Sequence, residues 1–349
     1  MRSTTTVLVL LAAGAALTAC RGANTARPIA IEPTSPTPVE GSVLRERAIE
    51  LLERFVRDEN AMVRANAVEA LSLVPTRLLP LLPAALNDPN PGVRTIALVA
   101  SGRLKACDLT PLARASLQHE SEFVRSAAIF ASARCDDKSN IELLAATLFR
   151  GSTTRARAHA AFLLGELGDK SALPMLRQAA QQRVPRSSEV ENRLMQLQVA
   201  EAMLKLGDDA ALGTLHAALF PARPEDLEAT VLAAQILGEI GSRSSRPDLQ
   251  NLLAGDPGKD PRMPAEVRLA AATALTRLGE LGTPQAWKVG REYANSADPA
   301  IRAQAAHLLG WSRPVTDADA IQTLLNDPNP LVQVAAAAAV IRQQGQAAR

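Results

Sequence analysis

Leu86-Asn87-Asp88-Pro89-Asn90-Pro91-Gly92-Val93-Arg94 is written almost unchanged a second time, as Leu325-Asn326-Asp327-Pro328-Asn329-Pro330-Leu331-Val332-Gln333. Seven of the nine positions agree across a separation of 239 residues. Such self-similarity at long range is the mark of a repeat architecture. Working outward from the two copies, the same grammar recurs: an apolar residue, often an Arg after it, then small residues at helical spacing. The apolar anchors are Val63, Val93, Val124, Ala156, Met195, Ala229, Val267, Ile301 and Val332, at intervals of 30 to 39 residues. Each unit reads as a helical hairpin. A Leu-rich first helix leads to a turn in which Asp or Asn caps the next helix and Pro enters its first turn. The second helix carries the anchor, with apolar and small residues on one face. Gly168, Gly207, Gly241 and Gly279 stand where these helices should stop, because the C-terminal cap favours a left-handed residue.

Composition agrees. Of the 349 residues, 65 are Ala and only 3% are aromatic, which suits closely packed helices and excludes a sandwich or barrel. The 38 Lys and Arg against 36 Asp and Glu leave a net charge of +2, too balanced for a nucleic-acid binder that works through bulk charge. The expected fold is all-α: a right-handed superhelical α-solenoid of about nine hairpins over residues 42–349.

The motifs Val93-Arg94…Ala97, Ala156-Arg157…Ala160 with Leu164-Gly165-Glu166-Leu167-Gly168-Asp169, and Ile301-Arg302…Ala305 with Leu309-Gly310 carry a family resemblance. They are similar to HEAT repeats, in particular the short HEAT-like units of phycobilisome lyases. The resemblance implies the solenoid fold and a surface used by scaffolds, adaptors and a few enzymes alike.

The N-terminus reads as an address. Residues 1–19 combine Arg2 with an apolar run from Val7 to Leu17 that is too short to span a bilayer. Leu17-Thr18-Ala19-Cys20 resembles the bacterial lipobox, which implies cleavage before Cys20 and lipidation of Cys20. Arg21 stands where enteric-type lipoproteins retained in the inner membrane carry Asp. That resemblance favours an outer-membrane lipoprotein facing the periplasm, with the cell surface or inner membrane as alternatives. Residues 20–41, Pro-rich and without an apolar period, read as a disordered tether.

Single residues leave alternatives. The Arg one place after the anchor (Arg64, Arg94, Arg125, Arg157, Arg268, Arg302) is either a basic ladder for an acidic partner or an internal brace to Asp58, Asp88 and Asp327. Trp287, Tyr293 and Trp311 are either a recognition patch or filling near the array end. Cys107 and Cys135 follow the second helices of adjacent units. In an exported chain they read as a disulfide or as two small buried thiols. The run Ala335 to Ala339 gives the last unit little polar outer face, so something must cover it. Three consecutive turns are long: Gln182 to Glu189, Pro221 to Glu225 and Gly255 to Pro264. Arg183, Arg186, Arg223, Asp226, Lys259 and Arg262 make them a candidate partner-binding edge, against tolerated surface drift. His119, His159, His216 and His307 form no metal-ligand spacing, and no nucleophile motif is present.

The expected function is that of a membrane-anchored scaffold or assembly factor of the bacterial envelope. It would bind a protein or peptide partner, without cofactor, metal, nucleic acid, small-molecule substrate or catalysis. The alternative is an enzyme or enzyme accessory subunit resembling the HEAT-like bilin lyases.

Overall fold

The computed structural model describes residues 38–254, 263–312 and 318–347. Its helices fall into nine hairpins, each an outer helix followed by an inner one. The first two units are α1 (Pro38–Phe55) with α2 (Ala61–Leu71), and a broken outer helix α3 (Pro75–Leu78) and α4 (Leu82–Leu86) with α5 (Pro91–Leu104). Units three to five are α6 (Thr110–Ala115) with α7 (Glu122–Arg134), α8 (Ile141–Arg150) with α9 (Thr154–Leu167), and α10 (Leu173–Ala180) with α11 (Glu189–Lys205). Units six to nine are α12 (Leu212–Ala218) with α13 (Leu227–Ile240), α14 (Arg246–Ala254) with α15 (Ala265–Arg277), α16 (Thr283–Ala294) with α17 (Pro299–Leu309), and α18 (Ala318–Leu325) with α19 (Pro330–Ala347). Among the described residues no helix is long and apolar enough to cross a membrane.

The turn chemistry does what the repeat grammar requires. Asn60, Asn90, Thr153 and Asp298 cap inner helices through side-chain oxygens, and Pro91 and Pro299 occupy positions where no N–H is needed. Ser188 and Glu191 form a reciprocal capping box at the start of α11. Gly168, Gly207, Gly241 and Gly279 all have φ between 74° and 90°, the left-handed conformation that a Cβ makes costly. α1 starts at Pro38 and so takes in the last residues of the segment expected as tether; Pro38 stands at its first position.

The Arg after each anchor is an internal brace. Arg64 and Arg302 each donate to two carbonyls of their own turn, Asp58 and Glu59 or Ser296 and Ala297. Each also grips the Asp of the next unit with two nitrogens, Asp88 at 2.7 and 2.8 Å and Asp327 at 2.7 and 2.9 Å. Arg94, Arg125 and Arg157 make the carbonyl bonds, and Gln333 makes one in the same place. A bidentate Arg spent this way offers no ladder to an outside partner.

Inner helices also alternate in closeness. Gly102, Gly165, Gly238 and Gly310 lie nine residues after their anchors, in every second unit. A Cβ on Gly165, Gly238 or Gly310 would stand 2.6–2.8 Å from the Cα of Ala202, Ala274 or Ala339 in the next inner helix. No real Cβ comes that close to a backbone atom, so glycine sets the spacing of these helix pairs.

The array does not end in two free faces. α1 packs on α19 as α8 packs on α7 and α16 on α15, and α2 packs beside α19. Arg47 donates to Asn326 across this seam at 2.7 Å, and buried Gly41 lies against Gln344. Ala336, Ala337, Ala339 and Val340 are buried. The apolar last unit is therefore covered by the first, and the nine inner helices close into a ring. Closure replaces the long open concave face expected of a solenoid with a narrow lumen.

Candidate functional site

Two places could do work: the lumen, and the rim made by the outer-to-inner turns. The lumen is built largely from residues ten places after eight of the nine anchors, at or near the C-terminal ends of the inner helices. These are Arg103, Arg134, Glu166, Lys205, Glu239, Arg277, Trp311 and Arg342. With Glu69 and Glu201 they carry a chain of buried charges across the hole. Arg103 on α5 reaches Glu166 on α9 at 2.9 Å and Glu69 on α2 at 3.4 Å. Lys205 on α11 meets Glu166 at 2.8 Å, Glu201 at 2.6 Å and Glu239 on α13 at 3.7 Å. Phe162 lies under both cations, 5.3 Å from Arg103 and 4.9 Å from Lys205. Burial opposes the charge on Lys205, but the three carboxylates outweigh it and raise its pKa above the ordinary lysine value. Burial, and then the nearby Glu201, push Glu239 up to about 7, while burial also raises Glu69.

On the other side of the lumen two guanidiniums share one aromatic ring. Arg277 and Arg342 lie 4.4 and 4.7 Å from the centre of Trp311. Trp311 donates to His307 Nε2 at 3.3 Å, and burial, then Arg342 and Arg277, hold the His307 imidazole well below its usual pKa. A neutral His307 is the form that accepts this bond. Above these groups lies a cavity of about 110 Å³ walled by the inner helices α2, α13, α15, α17 and α19.

The rim carries the residues expected as a partner edge. Arg183 and Arg186 are exposed, Arg186 with φ 67°. Their loop is folded onto its own unit: Val184 is buried and donates to Asn192 Oδ1 at 2.7 Å. Arg223 bonds Asp226 and lies 3.8 Å from Glu189 of the neighbouring turn. Asp226 is only 4% exposed and takes a 2.6 Å bond from Arg193. It locks two units together and does not face a partner. Phe220, just past the end of α12 at the same rim, is 63% exposed; an apolar residue next to Leu219 carries no local sign of exposure. Lys259 and Arg262 lie outside the described residues, as do Cys20 and residues 1–19, expected as a signal peptide.

Cys107 and Cys135 are joined by a disulfide, with Cα atoms 5.5 Å apart. Trp287 and Tyr293 pack beside the core and meet Arg291 and Arg268; Trp287 Nε1 is buried without an acceptor. Trp311 belongs to the lumen. His159 is buried between Phe123 and Phe162, and burial takes its pKa to about 4. His216 Nε2 stands 2.7 Å from Ser245 Oγ, the spacing of a nucleophile and its base, yet Ser245 is fully buried and its hydroxyl also meets Ser242. Among the described residues no group of His, Cys, Asp and Glu is placed to hold a metal ion.

Comparison with known proteins agrees with the helical-repeat architecture. The family model described as HEAT repeats matches residues 262–342. No curated protein matches the sequence. Among solved structures, human deoxyhypusine hydroxylase is similar at 15% identity and a TM-score of 0.37, over 79% of this chain and 99% of that one. The CpcE and CpcF complex of phycocyanin lyase from Nostoc sp. PCC7120 is similar at 19% identity and a TM-score of 0.41, over 77% and 98%. Kap121p follows at 11% identity and a TM-score of 0.35, where the match spans 87% of this chain but 43% of the other.

Proposed function

We propose that this chain is a lipid-anchored scaffold of the bacterial envelope that holds a protein partner on the rim formed by its fifth and sixth turns. The observation that carries the reading is the rim itself. Arg183, Arg186 and Phe220 are exposed on turns that are already fixed from within by Val184–Asn192, the Ser188 cap and Arg193–Asp226. A surface ordered before binding loses little conformational entropy on association, and an exposed aromatic beside arginines is the composition of an interface anchor. The lipobox-like Leu17 to Cys20 supports attachment at the outer membrane facing the periplasm, and the Pro-rich segment after it supports reach. The ring would act by position, without chemistry of its own.

The test is site-specific photocrosslinking in cells from positions 183 and 220, with position 143, on the outer face of α8, as control. One dominant envelope protein captured at both rim positions and absent from the control supports the proposal. No capture at either rim position, or equal capture at the control, refutes it. Cys20→Ala should release the chain from membranes while leaving the ring folded.

A further inference from the structure

The lumen holds a cation that has no carboxylate partner among the described residues. Arg342 is 9% exposed and part of the cavity wall. Its Nε and Nη1 are buried and meet no hydrogen-bond acceptor among the described residues. Leaving a guanidinium unpaired in a protein interior is costly. A second guanidinium, Arg277, shares the Trp311 ring with it and lines the same cavity. Neither has a carboxylate at ion-pair distance among the described residues, whereas Arg103 and Lys205 in the same lumen each pair with two or more carboxylates, Arg103 leaving only Nη2 without a bond. The contrast is local: one half of the lumen is neutralised from within, and the other half presents two adjacent positive charges to an empty space. Glu69, the carboxyl in the cavity wall, is engaged with Arg103, and burial favours its neutral form.

The rest of the wall is mostly apolar, with Asn66, Gln235, Thr273, Gln304 and His307 as its uncharged polar members. Leu73, Ala270, Ala303, Val334, Ala335 and Ala338 face the same space. We propose that the lumen is a binding site for a small carboxylic acid with an apolar body, its carboxylate held by Arg342 and Arg277 and its hydrocarbon part lying on this wall. A carboxylate matches the fork of a guanidinium with two parallel hydrogen bonds. Few polar groups on a mostly apolar concave wall are the ordinary composition of a small-molecule site. The cavity of about 110 Å³ compares with the roughly 150 Å³ of an apolar cavity that takes up benzene, which limits the body to about five carbons or a single ring. A doubly charged anion without an apolar part, such as sulfate, would leave the wall unfilled and face Glu69.

The site goes beyond the scaffold reading and stands or falls without it. Thermal unfolding and titration calorimetry on the mature chain test it, with isovalerate and benzoate as probes. Isovaleramide and benzamide serve as neutral isosteres, and sulfate as a charge without a body. One acid bound per chain, with a raised unfolding midpoint and no effect of amide or sulfate, is the expected result. Arg342→Met should weaken the acids by about tenfold or more, the worth of a charge-assisted bond, while the ligand-free ring becomes no less stable. Ala335→Leu keeps both arginines but fills the wall, and should also abolish binding. Failure of both acids to bind, stabilisation by sulfate equal to that by the acids, or unchanged affinity in Arg342→Met would each overturn the proposal.

Discussion

Replacing Glu239 by Gln should stabilise the ring at mildly alkaline pH and do nothing at acid pH. Glu239 sits in the lumen with its Oε1 buried and without a hydrogen-bond donor among the described residues. Its nearest cation, Lys205, is 3.7 Å away and already shared with Glu166 and Glu201. Burial and the Glu201 carboxylate push the group up from 4.5 to about 7. In the unfolded chain it ionises near its ordinary value of about 4.3. Between those two values the folded chain binds more protons than the unfolded chain, so stability falls as pH rises through this window. Every unit of such a shift is worth about 1.4 kcal/mol, which sets an upper bound of about 4 kcal/mol on the cost of ionising Glu239 in place. The attraction of Lys205 belongs to the charged form and is lost in the amide, so about 1–2 kcal/mol of stabilisation is expected at about pH 8. At about pH 4.5 the wild-type carboxyl is protonated in the ring and resembles the amide, and the two chains should unfold together. Urea unfolding followed by helical circular dichroism at both pH values reads this directly. A Gln variant less stable than wild type at alkaline pH would show that the Lys205 attraction outweighs burial and refute the reasoning. So would an equal difference at both pH values.

The glycine spacing makes a paired prediction. Gly238→Ala drives a Cβ to 2.6 Å from the Cα of Ala274 and should cost about 1–3 kcal/mol, as overpacked cores do. Gly213→Ala, in α12 with nothing within 4 Å, should instead stabilise by about 0.5 kcal/mol; denaturation midpoints of the two variants compare them. Thiol titration of the unreduced mature chain should find neither Cys107 nor Cys135 reactive. Reduction should lower stability by about 3 kcal/mol, from the loop that this link closes. A chain lacking α1 should expose the α19 seam and self-associate, seen as a larger species in light scattering; a monodisperse, fully helical monomer would show that closure is dispensable.

Local chemistry alone determined the hairpins, their number, the capped starts and the glycine stops, because each depends on residues within one or two turns of helix. The Arg brace was half legible. Its spacing pointed to Asp88 and Asp327, but only the fold decided between an inward clasp and an outward ladder. The reciprocal geometry needs two units at their true stacking distance. Gly165 and Gly310 stood in the quoted motifs, yet their role depends on which helix lies across from them. Closure was not legible in any single repeat. Nine units meet only if each turns by about 40°, a sum of small rotations that no local pattern encodes. The lumen follows from closure. Glu166, Lys205, Glu239, Arg277 and Arg342 recur ten residues after their anchors, and in an open array they would read as a solvated charged edge. Only the closed ring takes them out of water, pairs most of them, and leaves Arg342 stacked on Trp311 with no carboxylate partner among the described residues.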